Sequence, residues 1–288
     1  MELISDYMLS GEKRAMLNDL TRRTFWFDFE SWVSGGYYTG EYIPYSFEEN
    51  GRLLANVSAN VMRFLQNGEQ CVYIQLGTVM TDEEHRRQGL ARRLMEQVLA
   101  RYENADSVYL FANLDALGFY QKIGFEQAQE YRWTLKAAVK RAQSGLFEPL
   151  GNSAELRARY REAVRRGAVF SRFQQLNRYG LQMFYTAQHN GVYYSRALDC
   201  FAVMEAEGGS LVLSSVVGKE NVPLEQVIAH IGTEYDRLTL GFAPLAQDEG
   251  LFCAAPYDGA DDYRLLYRGS RLRGVEQDRL FFPLFSHA

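Results

Sequence analysis

The hydrophobic period changes twice between Cys71 and Asn113, and this restricts the fold more than any other feature of the chain. Cys71 to Met80 is dense in β-branched and apolar residues and reads as a strand. From Gly89 to Tyr102 the apolar positions are Leu90, Leu94, Val98, Leu99 and Tyr102, one face of a helix. Ser107 to Ala112 is again strand-like and ends at Asn113. A strand that feeds an amphipathic helix through a glycine turn, followed by another strand, implies an α/β (α+β) fold with helices packed on a sheet.

The turn reads Arg86-Arg87-Gln88-Gly89-Leu90-Ala91. The first turn of a helix leaves backbone N–H groups without intrahelical partners, and the helix dipole adds positive charge there. A pyrophosphate matches such a site. Gly89 has no side chain to obstruct an approaching phosphate, Ala91 is small, and Arg86 and Arg87 add full charge. Six residues alone also describe a solvated basic helix start, so the surrounding pattern has to decide.

Upstream, Ser10 to Thr24 carries Met16, Leu17 and Leu20 at helical spacing, followed by the aromatic run Phe25 to Phe29. Strands are expected at Tyr42 to Phe47 and Leu53 to Phe64, with turns at Asn50-Gly51 and Asn67-Gly68. Downstream, Asp115 to Lys122 reads as a short helix closed by Gly124, and Glu130 to Leu135 as the last strand of this half. Lys136 to Gly151 has the composition of a linker. The remainder gives a basic helix from Ser153 to Arg166, then strands at Leu181 to Ala187, Gly191 to Ser195, Cys200 to Ala206 and Ser210 to Val217. A helix over Pro223 to Ile231 and strands at Arg237 to Gly241 and Tyr263 to Tyr267 complete it. The order strand, helix, strand thus recurs, with Leu211 to Val217 corresponding to Tyr73 to Val79 and Leu238 to Leu240 to Val108 to Leu110. The expected division is a domain over 1–137, a linker over 138–150 and a second, smaller domain over 151–288.

The chain has 288 residues, 47% of them hydrophobic, enough for a core in each half. A formal net charge of −5 argues against a general nucleic-acid binder. Three scattered cysteines and four scattered histidines give neither a disulfide framework nor metal-ligand spacing, so no metal is expected. No basic-then-apolar leader and no run long enough to cross a bilayer is visible, which leads to the expectation of a cytoplasmic protein without a membrane partner.

Two further motifs follow the arginine-glycine turn: Leu110-Phe111-Ala112-Asn113, and Gly118 to Phe125. Together they resemble the GCN5-related N-acetyltransferase (GNAT) superfamily. Its phosphate loop falls on Arg86, Gly89 and Ala91, and its later pattern on Asn113, Ala116, Phe119, Tyr120, Gly124 and Phe125. The resemblance is strongest over residues 40 to 135. It implies a GNAT-like mixed, mostly antiparallel sheet flanked by helices, followed by a smaller GNAT-like α/β domain. It also implies acetyl-CoA as cosubstrate and a small-molecule or peptide amine as acceptor. Cofactor contacts are implied at Thr78, Val79, Met80, Arg86, Arg87, Gln88, Gly89, Leu90, Ala91 and Asn113, with Gly77 marking a bulge where two strands splay. The N–H of Val79 or Met80 would hold the oxyanion, and Tyr120 falls on the general-acid position. Asn113 equally suits a helix cap.

The general base is not legible: Gln75 stands where some family members have a glutamate. Glu30, Glu41, Glu48 and Glu49 lie near the expected acceptor side; facing a pocket there, they would favour a cationic amine. In the second half the corresponding loop, Val217 to Pro223, lacks the arginine-glycine arrangement, and Pro223 removes a donor. A degenerate half without its own cofactor is expected. Alternatives are a non-catalytic acetyl-CoA-binding protein, or a transferase using another acyl-CoA or a hydroxyl acceptor.

Overall fold

The computed structural model describes residues 1–137, 140–142, 145–168, 170–259 and 262–288, so parts of the expected linker, residues 138, 139, 143 and 144, lie outside the described residues. The first half runs β1 (Glu2–Ser5), α1 (Gly11–Phe25), α2 (Glu30–Ser34), β2 (Tyr42–Glu49), β3 (Arg52–Gln66) and β4 (Glu69–Thr81). It continues with α3 (Leu90–Arg101), β5 (Ser107–Asn113), α4 (Leu117–Gln121), β6 (Glu126–Gln127) and β7 (Glu130–Leu135). Next come β8 (Glu148–Pro149), α5 (Ala154–Arg166), β9 (Phe173–Gln175), α6 (Tyr179–Thr186), β10 (Val192–Ser195), β11 (Cys200–Glu207) and β12 (Ser210–Gly218). The chain closes with α7 (Leu224–His230), β13 (Arg237–Leu240), β14 (Phe252–Tyr257), β15 (Tyr263–Arg268) and α8 (Gly274–Gln277).

Two sheets form. The first has the order β1-β2-β3-β4-β5-β15-β6, with β9 also paired to β3; the second has the order β14-β7-β13-β12-β11-β10-β8. In each, an antiparallel hairpin leads into a parallel pair bridged by a helix: β3-β4-α3-β5 in one and β11-β12-α7-β13 in the other. Leu90, Leu94, Met95 and Val98 of α3 are buried against Leu54, Val57, Leu76 and Leu110 of the first sheet. Leu224, Val227 and Ile228 of α7 pack on Leu211, Leu213 and Leu240 of the second. The internal repeat read from element order is therefore a repeat of topology.

The expected boundary does not separate the sheets. Glu130 to Leu135 is a strand, but β7 pairs with β13 and β14 in the second sheet. Its place beside β5 is taken by β15 from the second half, with Leu266 opposite Leu110 and Leu265 opposite Phe111. Each half thus lends the other a strand. Periodicity fixes which residues alternate across a strand, not which neighbour it pairs with.

A second correction concerns Leu181 to Ala187, expected as a strand. It lies in the helix α6, whose buried residues Tyr179, Gln182, Met183 and Thr186 follow helical spacing. The opposite side carries Leu181, Phe184 and Tyr185, so the run is apolar almost all round and its period is masked in the sequence. β1, α2, β6, β8, β9, β14 and α8 are not among the expected elements. The described linker residues pack on the second half: Arg141 donates to the carbonyls of Gly232 and Tyr235, and β8 pairs with β10.

Candidate active site

Parallel pairing of β4 with β5 stops at Gln75 opposite Tyr109. Beyond it the strands part, leaving Leu76 to Val79 on one side and Leu110 to Asn113 on the other as walls of a cavity of about 550 Å³. The parting has a visible cause. In β4, Thr78 and Val79 stand opposite the single residue Val57, a bulge flanked by the pairs Gly77–Ser58 and Met80–Asn56. Thr78 takes φ +43, a conformation a β-branched residue rarely adopts.

Buried hydrogen bonds hold the bulge. The Thr78 hydroxyl lies 2.6 Å from Tyr42 Oη, and Asn56 Nδ2 donates to the Thr78 carbonyl at 2.9 Å. Ser58, Ser46 and Tyr7 extend the network into the core. A satisfied buried network of this kind fixes one backbone arrangement.

The site residues expected from the sequence separate into four groups. Thr78, Val79, Asn113 and Tyr120 line the cavity. Asn113 precedes a 3₁₀ turn without capping it by its side chain, so of its two readings the cap is the one its side chain does not fulfil. Arg86 lines an adjoining cleft of about 210 Å³ that shares Thr24 with the main cavity. Arg87, Gln88 and Gly89 are exposed on the turn, at the start of α3. Gly89 has φ +77 and open space around it, so its conformation, rather than a contact, is what calls for glycine. Met80 and Leu90 turn their side chains into the core, and Ala91 is half-buried, leaving backbone as what they can offer.

Tyr120 is buried, with no hydrogen bond to its hydroxyl among the described residues. Burial pushes its phenol up to about 12, so it holds its proton at neutral pH. The acceptor-side carboxylates are elsewhere. Glu30 pairs with Arg14, Glu48 accepts from the Gly51 N–H, Glu49 pairs with the amino group of Met1, and Glu41 does not line the cavity. None of these four carboxylates lines the cavity, so they do not favour a cationic amine there. Asp82, Glu84 and His85 offer ligand atoms within 4.8 Å of one another, a grouping the sequence did not single out. The Asp82 carboxylate is already held by Arg23 and Arg52.

The other wall of the cavity comes from residues that sequence reasoning missed as a site. Phe25, Phe27, Phe29 and Trp32 arrive from the end of α1, the connection after it and α2, and Leu181, Phe184 and Tyr185 from α6 of the second half. His287 and Ala288 close it from behind. The His287 ring stacks on Phe111 with centroids 3.6 Å apart, and Tyr185 Oη donates to the His287 carbonyl. Gln75 Nε2 reaches the Ala288 oxygen at 3.4 Å. Burial, with the positive charge of Arg132, pushes the imidazole down to about 3, so His287 is neutral at physiological pH. The one prior signal was the dense aromatic run Phe25 to Phe29.

Residues 7–125 match the acetyltransferase (GNAT) family. A search of curated proteins finds no match. Among solved structures, a conserved protein of unknown function from Enterococcus faecalis, described as a probable N-acyltransferase, is 14% identical with a TM-score of 0.56; the match covers 94% of this chain and 73% of that one. A GCN5-related N-acetyltransferase from Kribbella flavida is 16% identical with a TM-score of 0.57, covering 93% and 72%. Another from Anabaena variabilis is 14% identical with a TM-score of 0.55, covering 93% and 72%. At this identity the likeness is one of fold, and it spans both halves. No described helix is long and apolar enough to cross a membrane.

Proposed function

We propose, from the match of residues 7–125 to the acetyltransferase (GNAT) family, that the chain transfers an acetyl group from acetyl-CoA to a primary amine by direct attack in a ternary complex. The observation that carries this reading is the parting of β4 and β5 beyond Gln75 and Tyr109, with Tyr120 facing the gap. A pantetheine arm can enter such a gap and hydrogen-bond to strand backbone as an added strand would. The pyrophosphate would then reach the turn Arg86 to Ala91, where the first N–H groups of α3 are free to receive it.

In the chemical step the neutral amine nitrogen attacks the thioester carbonyl. A backbone N–H at the bulge, of Val79 or Met80, receives the negative charge on oxygen. As the carbon–sulfur bond breaks, Tyr120 gives its proton to the departing thiolate and regains one from solvent. The ammonium form of the amine loses one proton to water before attack, and the attacking nitrogen releases a second to water as the amide forms. Entry into an apolar cleft favours the first loss, because burial disfavours the ammonium form.

The test is CoA release by the full chain, read with a thiol reagent over a panel of amines and hydroxyl isosteres, beside calorimetric titration with acetyl-CoA. One cofactor per chain is expected, because Val217 to Pro223 lacks the phosphate-binding arrangement. Binding without release with any acceptor would leave a cofactor-binding protein, and two sites per chain would contradict the degenerate second half.

A further inference from the structure

We infer that Asp82 is the positioning residue of the cofactor turn: its buried carboxylate, tied to α1 and β3, sets where the N–H groups at the start of α3 meet the phosphates of acetyl-CoA. The inference rests on the acyl-transfer reading above and deepens the cofactor half of it.

Two buried residues bracket the turn, Asp82 and Leu90, and every residue between them is exposed or half-buried. Leu90 is held by apolar packing in the core beneath α3. Asp82 is the other anchor, and it is polar. Its N–H donates to the Leu54 carbonyl of β3 at 2.9 Å. Its Oδ2 accepts from Arg23 Nη1 of α1 at 2.8 Å and from Arg52 Nη2 of β3 at 3.4 Å. Its Oδ1 accepts the Glu84 N–H at 3.2 Å and lies 3.2 Å from His85 Nδ1. One side chain thus joins a helix, a strand and the first residues of the turn. Beyond it the turn bonds to itself, His85 N–H to the Asp82 carbonyl and Gln88 Nε2 to the Glu84 carbonyl. The pair of Arg52 with Glu84, 3.7 Å apart and exposed on both sides, adds little.

The turn needs such an anchor because its backbone is not relaxed. Arg87 takes φ +64 and Gly89 φ +77. A left-handed arginine costs energy and persists only where its surroundings fix it. Phosphate binding at a helix start also depends on direction, since the N–H groups have to point at the oxygens. Burial raises the Asp82 carboxyl, but Arg23, His85 and the Glu84 N–H outweigh it and hold it down at about 2, so it is ionised at neutral pH. By Coulomb's law a negative charge beside a phosphate site opposes the ligand. The carboxylate is therefore accounted for by what it holds in place and not by any attraction for the cofactor.

The test uses that opposition of charge and geometry. Asp82→Asn keeps the shape and removes the charge. Whichever way the amide turns, its NH2 meets a donor, the guanidinium groups of Arg23 and Arg52 on one side or the Glu84 N–H on the other. Full-length wild type and variant are titrated calorimetrically with CoA. They are then assayed with acetyl-CoA and with S-acetylpantetheine, a donor without the pyrophosphate and nucleotide, using the fastest acceptor of the amine panel above. We expect the dissociation constant for CoA to rise about tenfold, and kcat/KM with acetyl-CoA to fall about tenfold more than with S-acetylpantetheine. An unchanged or lower dissociation constant, as loss of a nearby negative charge alone would give, overturns the inference while leaving acyl transfer intact. An equal fall with both donors also overturns it, since Asp82 then serves the fold as a whole and not the turn. Should Asp82→Asn not fold, Arg23→Gln, which loosens the same anchor from α1, is read by the same two measurements. A wild-type chain that does not bind CoA overturns the transfer reading and the inference together.

Discussion

Gly77 lies directly beneath Ala288: a methyl group on Gly77 would overlap the Ala288 backbone oxygen and carbon. The absent side chain lets residues 286–288 lie along β4, where Tyr109 Oη donates to the Ser286 carbonyl and Gln75 Nε2 reaches the Ala288 oxygen. Gly77→Ala is therefore expected to displace this segment and, with it, His287. Overpacking at a tight contact typically costs about 1–3 kcal/mol. The variant should fold with a modestly lower Tm and a larger fall in kcat/KM. A variant with full activity would show that the contact does not shape the site.

Tyr120→Phe removes the proposed acid and keeps the ring that packs in the core cluster with Phe125 and Leu110. Loss of a general acid typically costs about 10²–10⁴-fold in rate. We expect a kcat loss toward the lower end of that range, with the dissociation constant for acetyl-CoA unchanged. The wild-type phenol titrates at about 12, so turnover should rise with pH as the amine deprotonates, with no Tyr120 limb until strongly alkaline pH. Unchanged turnover in the variant at every pH removes Tyr120 from the mechanism.

Gly89→Ala isolates the backbone at the cofactor turn. The position has φ +77 with nothing for a methyl group to strike, so the substitution acts through conformation alone. A left-handed alanine costs about 1–2 kcal/mol. If the turn relaxes, N–H groups at the start of α3 shift away from the phosphates. The expected outcome is a KM for acetyl-CoA raised about tenfold, with kcat nearly retained. An unchanged KM would show that the phosphates bind elsewhere.

Glu130 makes stability depend on pH. It is buried, its Oε1 accepts from the Phe282 N–H at 2.9 Å, and its Oε2 has no partner. Burial lifts its carboxyl from 4.5 to about 8, against the lowering effects of the Phe282 amide and Arg132. The folded chain thus keeps this proton through the range where the unfolded chain releases it. Stability from this group is fully present below pH 4.5 and is lost as pH rises through about 8. Glu130→Gln should flatten the fall in Tm between about pH 4.5 and pH 8. Parallel curves for the two proteins would refute the assignment.

The sequence legibly carries the cofactor side because that chemistry is local. Thr78, Val79, Arg86, Gly89, Asn113 and Tyr120 lie in consecutive elements, and their order and spacing express the geometry. The acceptor side is not local. Trp32 and Phe184 meet only through the packing of α2 on α6, and His287 reaches Phe111 from the far end of the chain. Hydrophobic pattern records that each of these is buried and is silent about the partner. The masked period of α6 is the same limitation in another form, since a short helix that is apolar almost all round reads like a strand.

The exchanged strands set the last prediction. Val108 to Asn113 of β5 pairs along its whole length with β15, and Leu265 and Leu266 fill the core behind it. A fragment ending at residue 137 would lose this partner and expose the edge of β5 together with Phe111. It would also carry β7 unpaired, with Trp133 removed from Leu240 and Ala254. Two open apolar edges in one fragment are a template for association rather than a folded domain. Residues 1–137 expressed alone should therefore be aggregated or unfolded by size-exclusion chromatography and circular dichroism, and should not bind acetyl-CoA. Co-expression with residues 138–288 should restore a soluble pair, since each piece supplies the other's missing strand. A soluble, cofactor-binding fragment 1–137 would mean that β7 can return to the place beside β5 that β15 occupies here.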